Sequence, residues 1–182
     1  MGRKKKEDEA LDLDTRKRIY DYINTSPGTH FRELERRLSL PTGVIAYHLK
    51  YLEDAEMIIG KIEGRYKRYY LVGKMGSKDK KLMSVLRQEI PRRILMHLIM
   101  NPGSTHKALK ELFTISPSTL SFHIKKLVDA GAINKVKEGR EHKYFVENEE
   151  EVAKALISYK RSFLDSVVDS FTNTWLEMNL KD

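Results

Sequence analysis

The chain has 182 residues, 40% of them hydrophobic, no cysteine, and 34 Lys and Arg against 26 Asp and Glu, for a formal net charge of +8. That length suits one or two small domains with cores of their own, and the absence of thiols excludes disulfide staples, thiolate metal sites and cysteine nucleophiles. No apolar run approaches the ~18 to 20 residues of a membrane-spanning helix, and the basic start Arg3-Lys4-Lys5-Lys6 is not followed by the apolar core of an export signal. A cytoplasmic globular protein is expected, with nucleic acid first and anionic membrane second among the polyanions that its charge would attract.

The charge is unevenly placed. Residues 1–14 carry a net −1, 15–73 carry +4, 74–89 carry +3, 90–148 carry +5 and 149–182 carry −3. A polyanion should therefore meet the middle of the chain, and the acidic end should serve another purpose.

After a charged tail over residues 1–13, Asp14 or Thr15 can cap a helix whose Ile19, Tyr22 and Ile23 share a face, and Ser26-Pro27-Gly28 stops it. Residues 31–38 give a short second helix with Phe31, Leu34 and Leu38 inward. A break over 39–42 precedes a third helix running to about Glu56, apolar at Ile45, Leu49 and Leu52. Two strands, 57–62 and 67–72, flank Glu63-Gly64-Arg65-Tyr66, whose glycine suits a hairpin turn. The first unit thus covers residues 14–73. Residues 74–89 form a joint and lead-in helix: Gly73 to Lys78 is a short flexible stretch, and a helix from Lys80 to Gln88 follows.

Residues 90–148 repeat the first unit. At a constant offset of 75 residues, fifteen identities recur without a gap, among them Ile19 with Ile94, Leu34 with Leu109, His48 with His123, Leu52 with Leu127 and Glu63-Gly64-Arg65 with Glu138-Gly139-Arg140. The second unit is read as helices ending near Asn101, over 107–113 and over 117–130, followed by a hairpin. Ser116 before Pro117 supplies a capping hydroxyl and then proline at the first helical position. Three helices and a β-hairpin make a winged helix, with a helix-turn-helix inside it. The expected fold is mainly α with small β-hairpin wings: two tandem winged-helix domains and a long C-terminal helix.

A third helix of this kind fits a DNA major groove about 12 Å wide when its outward residues are small or polar. In the second unit these are Ser118, Thr119, Ser121, Phe122 and Lys125. In the first they are Thr42, Gly43, Tyr47 and Lys50, which offer fewer hydrogen-bonding groups. The hairpin tips add Arg65, Lys67 and Arg68 in one copy, and Arg140 and Lys143 in the other, for phosphates or a minor groove. A basic hairpin tip is often only a solvated turn, but the triplet Glu-Gly-Arg at the same place in both copies favours contact with DNA.

His48 and His123 read as structural histidines at the core edge. His30, His97, His106 and His142 lack zinc spacing, and substitution of His106 should reduce DNA affinity much less than that of Lys125 or Arg140. No metal, cofactor or catalytic residue is expected. Phosphate loops, nucleophile elbows and paired acid-base groups are missing, so an enzyme is not expected.

Residues 149–182 have no repeat partner. Glu149 to Glu151 suit a helix start, and Val152, Leu156, Tyr159, Phe163, Val167, Phe171, Trp175 and Met178 form one stripe of a single long helix to about Asn179. Each such side chain is worth roughly 1.5 to 3 kcal/mol when buried, so the stripe requires a cover. A second copy is the first expectation, making Leu156, Tyr159, Phe163, Val167, Phe171 and Trp175 a homodimer interface. The first unit of the same chain is the second, and an effector pocket the third. The acidic balance argues against a membrane surface.

The third helices, Pro41-Thr42-Gly43-Val44-Ile45-Ala46-Tyr47-His48-Leu49-Lys50 and Ser116-Pro117-Ser118-Thr119-Leu120-Ser121-Phe122-His123-Ile124-Lys125, resemble the recognition helices of ArsR/MarR-like winged helix-turn-helix regulators. Two such units in tandem, over residues 15–148, are similar to transcriptional regulators common in archaea. The resemblance implies sequence-specific binding of double-stranded DNA and control of transcription. The cysteine motif of ArsR metal sensors is missing, which sets metal response aside. The alternative function is a winged-helix scaffold for a protein of the transcription or replication machinery.

Overall fold

A computed structural model of the chain describes residues 13–179, so the expected charged tail lies almost entirely outside the described residues. The chain divides into two compact units between Lys80 and Lys81, each of which is built in the same order.

In the first unit, α1 (Asp14–Thr25) leads through β1 (Thr29–His30) to α2 (Phe31–Leu38) and α3 (Thr42–Asp54), and then to β2 (Ile58–Glu63) and β3 (Tyr66–Leu71). Asp14 lies inside the first turn of α1 rather than capping it, and the backbone of Leu13 occupies the cap position. The core gathers Ile19 and Ile23 from α1, Leu34 from α2, Ile45, Leu49 and Leu52 from α3, and Ile58, Tyr69 and Leu71 from the hairpin. The helical residues among these are positions that three- and four-residue spacing selects, while Tyr22, Phe31 and Leu38, also expected inward, are only partly buried against this core. The strands begin and end one residue away from the expected places, because Glu63 pairs with Tyr66 across a two-residue tip, Gly64-Arg65. Gly64 has φ +63°, the left-handed value that a type II′ turn requires at its first central position.

A third strand joins the hairpin. β1 pairs antiparallel with β3, Thr29 opposite Tyr69 and His30 opposite Arg68, so the sheet order is β1-β3-β2. Gly28 enters this strand with φ +77° and lies so close to the Tyr70 hydroxyl that a Cβ there would stand 3.2 Å from it. His30 also starts α2, its Nδ1 accepting from the Glu33 amide at 3.3 Å.

α4 (Ser77–Leu86) begins three residues before the expected lead-in helix and runs across the division between the units. The second unit continues with α5 (Glu89–Met100), β4 (Ser104–Thr105), α6 (His106–Leu112), α7 (Pro117–Asp129), β5 (Ile133–Glu138) and β6 (Glu141–Val146), again with sheet order β4-β6-β5. Its core repeats the first: Ile94, Leu109, Leu120, Ile124, Leu127, Ile133 and Tyr144 are all buried. Ser116 caps α7 as expected, accepting from the Thr119 amide at 3.1 Å, with Pro117 first in the helix.

Both third helices end in the same way. Met57 N–H reaches back to Leu52 O at 3.0 Å, and Ala132 N–H to Leu127 O at 2.9 Å, the long backbone bond of a Schellman end, which needs a left-handed residue before it. Gly131 supplies it in the second unit at φ +69°. Glu56 supplies it in the first at φ +55° despite its side chain.

The single long C-terminal helix is corrected to three pieces: α8 (Glu149–Ser158), α9 (Lys160–Phe163) and α10 (Ser166–Asn179). Leu164 takes a left-handed φ of +51°. Asp165 then turns the chain, its Oδ1 accepting from the Val167 amide at 3.1 Å. The same carboxylate reaches α5, where Oδ2 accepts from Arg92 Nη2 at 2.5 Å and from Nε at 3.2 Å. Arg92 also donates to Leu86 O at 2.8 Å, and Arg87 to Ser162 O at 2.9 Å. The side chains of Arg92 and Asp165 are only 6% and 8% exposed. A buried charge pair, not an unbroken helix, thus ties α10 to the second unit. The stripe is covered in part from within: Val152 and Leu156 of α8 and Val168 and Phe171 of α10 are buried.

Candidate nucleic-acid interface

The helical period divides α7 cleanly. Leu120, Ile124 and Leu127 are fully or nearly buried, while Ser118, Ser121, Phe122 and Lys125 are exposed. Phe122 is 61% exposed, a large apolar ring offered to solvent between hydroxyls and an ammonium. Thr119 is half-buried, and its hydroxyl lies 2.8 Å from that of Ser116. Lys125 pairs with Asp129 at 2.8 Å one turn along; such an exposed pair is worth well under about 1 kcal/mol and is readily exchanged for a phosphate.

α3 presents Thr42, Gly43, Val44, Tyr47, Lys50 and Tyr51 outward. Thr42 Oγ1 donates to the Glu35 carboxylate and Lys50 pairs with Asp54 at 3.0 Å. Arg16 of α1, itself buried, stacks its guanidinium 3.5 Å from the Tyr51 ring centre. The outward face of α3 is thus more apolar and aromatic than that of α7, as the sequence comparison anticipates.

The wings separate the predicted cations. Arg65 and Arg140 stand exposed at the two tips. Lys67 is half-buried and pairs with Glu53 at 2.7 Å, and Lys143 pairs with Glu138. Arg68 does not belong to this surface: it is 4% exposed and donates through Nη1 to Gly28 O at 2.6 Å, with Glu63 3.7 Å from its Nε. The reason lies in the third strand. β1 covers one edge of β3, and Arg68, opposite His30, is drawn into satisfying the carbonyl of Gly28.

His48 is buried and His123 half-buried on the inner sides of α3 and α7, each edge-on to its neighbour, Tyr47 or Phe122. Burial, then nearby Arg16 or Lys126, lowers both imidazole pKa values, which keeps them neutral at neutral pH. Their structural reading fits this placement. Sequence reasoning missed one contact on the outward face: His106 Nε2 lies 3.0 Å from Ser121 Oγ. Spacing alone gives no sign of it, because the two residues lie on different helices.

With the geometry in view, two family models match the chain. One, described as an N-terminal helix-turn-helix domain, covers residues 13–83, and one described as winged helix-turn-helix DNA-binding covers residues 79–134. The chain is a tandem winged helix-turn-helix protein. This tandem protein is also similar to a protein of Methanocaldococcus jannaschii described as an uncharacterized HTH-type transcriptional regulator, 33% identical over 140 residues, 77% of this chain and 35% of that one. The chain therefore spans about a third of the length of that relative. Among the described residues, no helix is long and apolar enough to cross a membrane.

For the predicted dimer face, Leu156 at 0% and Phe171 at 6% exposure are internal to the chain, a correction that follows from the break at Leu164: α10 packs on α8 and α5. Tyr159, Phe163 and Trp175 are half-buried, with Trp175 stacked on Phe171 at 6.1 Å and Phe163 facing Arg92 at 5.2 Å. Val167 remains exposed, joined by Leu164, Leu176 and Met178.

Proposed function

We propose that this tandem winged helix-turn-helix protein is a transcriptional regulator that binds double-stranded DNA in a sequence-specific manner. The observation that carries the reading is the outward face of α7, where Ser118, Ser121, Phe122 and Lys125 are exposed together over a fully packed inner face. Hydroxyls can bond base edges, Phe122 suits a thymine methyl, and Lys125 and Arg140 suit guanine or phosphate. In the first unit, Thr42, Gly43, Tyr47, Lys50, Arg65 and Lys67 make the corresponding but less polar surface.

The test is selection of bound duplexes from a random pool, followed by titration of the winner and of a scrambled duplex over a salt series. Specific binding that weakens as salt rises supports the reading, since released counterions are part of the affinity. Equal weak binding to every duplex overturns the claim of specificity.

The second part of the proposal is a homodimer through the outward side of the C-terminal helices, around Leu164, Val167, Leu176 and Met178. Their exposure, 61%, 39%, 38% and 56%, supports it, and sedimentation equilibrium with a Val167→Glu variant tests it. A second reading rests on α3. Val44, Tyr47 and Tyr51, exposed side by side along one helix, also suit a protein partner of the transcription or replication machinery, so the first unit is the place to look for a scaffold role.

A further inference from the structure

The outward face of α7 has a hydrogen bond for which α3 has no equivalent. His106, the first residue of α6, meets Ser121 Oγ of α7 at 3.0 Å. The residues 75 positions earlier are Phe31 and Ala46, neither of which has a polar side chain. Ser121 is exposed and stands one residue from Phe122 and one helical turn from Lys125, in the middle of the face that would meet a groove.

A serine hydroxyl left to itself rotates, and it can donate or accept. Such a group bonds to nearly any base edge and discriminates little. Held by an imidazole nitrogen, it keeps one role. Where the nitrogen accepts the hydroxyl proton, only oxygen lone pairs face outward, and they suit the amino groups of adenine or cytosine. Where the nitrogen donates, the hydroxyl proton faces outward and suits guanine O6 or N7, or thymine O4. Either arrangement turns an indifferent hydroxyl into a selective one.

We infer that His106 is a specificity-determining positioning residue of the second unit: it fixes the hydrogen-bonding role of Ser121, and through Ser121 it sets which base pair is accepted at one position of the duplex. The inference rests on the DNA-binding reading above. His106 itself touches no base and acts through Ser121 alone.

The full chain is tested on the selected duplex and on the set of duplexes that carry each alternative base pair at each position. The proteins are wild type, His106→Ala, Ser121→Ala, the double variant and His106→Gln. Wild type is expected to discriminate about tenfold at one position, the worth of one directional hydrogen bond. His106→Ala and Ser121→Ala should each flatten that position, and only that one, to within about twofold. The double variant should be no flatter than either single one, and His106→Gln, whose amide can still bond the hydroxyl, should recover part of the preference. Losses equal on all duplexes, losses that add in the double variant, or an unchanged profile in His106→Ala would each overturn the inference while leaving DNA binding standing. Failure of wild type to bind any duplex overturns the DNA reading, and the inference falls with it. Should His106→Ala fail to fold, Ser121→Ala and His106→Gln decide the matter: a flattened position in the first with partial retention in the second supports the role, and any other pair of profiles refutes it.

Discussion

The two winged units share a core and differ at their surfaces. Ile19, Leu34, Leu52, Ile58 and Tyr69 are buried in one, and Ile94, Leu109, Leu127, Ile133 and Tyr144 in the other, at the same offset. Among the pairs that differ are Glu56 and Gly131 at a helix end, Arg68 and Lys143 on the wing, Pro41 and Ser116 before the third helix, and Ala46 and Ser121 on its outward face. At the five shared core positions packing keeps the same side chains in both copies, since an interior filled at crystal-like density tolerates little change, whereas nearer the hairpin the buried pairs Met57 and Ala132, and Leu71 and Val146, differ in volume. Exposed positions carry no such demand. The second unit also holds a charge pair with α10 that the first has no helix to supply.

That last difference gives the largest expected effect. Asp165→Asn leaves Arg92 buried beside a neutral partner and should destabilise the second unit by about 3 to 5 kcal/mol, read by urea unfolding with amide exchange followed in α5 and α10. Burial would raise the Asp165 pKa, but the hydrogen bonds from Arg92 and the Val167 amide and the charges of Arg92 and Arg93 hold it below the ordinary carboxylate value. A depressed folded value means stability that is present above the unfolded pKa, about 4, and lost as pH falls through the folded one. Wild type should therefore lose stability on acidification below about pH 4, and Asp165→Asn should show a flatter acid limb.

Next in size is the wing. Arg68→Met removes a buried charged donor from Gly28 O and should cost about 2 kcal/mol. Lys143→Met, at the matching place with a half-exposed pair, should cost under about 0.5 kcal/mol. Equal costs would mean that the wings are braced alike. A smaller effect is expected from Ser116→Ala, about 1 kcal/mol through the lost cap of α7, seen as a lower melting temperature. The helix ends come next. Glu56→Gly should stabilise the first unit by about 0.5 to 1 kcal/mol by relieving a left-handed side chain, net of the flexibility gained in the unfolded chain. Gly131→Ala should destabilise the second by a similar amount.

The duplicated architecture was legible because each helix places its apolar residues at three- and four-residue spacing, and because two copies confirm each other. The outward residues of α7 followed from the same spacing. The two-residue strands at Thr29 and Ser104 were not legible, since two residues show no alternation, and without β1 the inward turn of Arg68 could not be seen: its neighbours Lys67 and Arg65 look the same in sequence. The break in the C-terminal helix left a faint signal in Asp165-Ser166, a capping pair, but no glycine or proline marks Leu164. The bond between His106 and Ser121 joins two helices and depends on their packing, which no local pattern encodes.

The seam at Leu164 gives the C-terminal segment a particular mechanical character. An unbroken helix would transmit any displacement of its far end along a stiff backbone into α8. Here α10 is clamped side-on to α5 by one carboxylate, and α5 is the first helix of the domain that carries α7. A load applied at the exposed apolar side of α10 therefore enters the second winged domain through Arg92 as well as through the packing of α10 on α8 and α5, and a single side-chain substitution, Asp165→Asn, should remove the polar share of that coupling without cutting the chain.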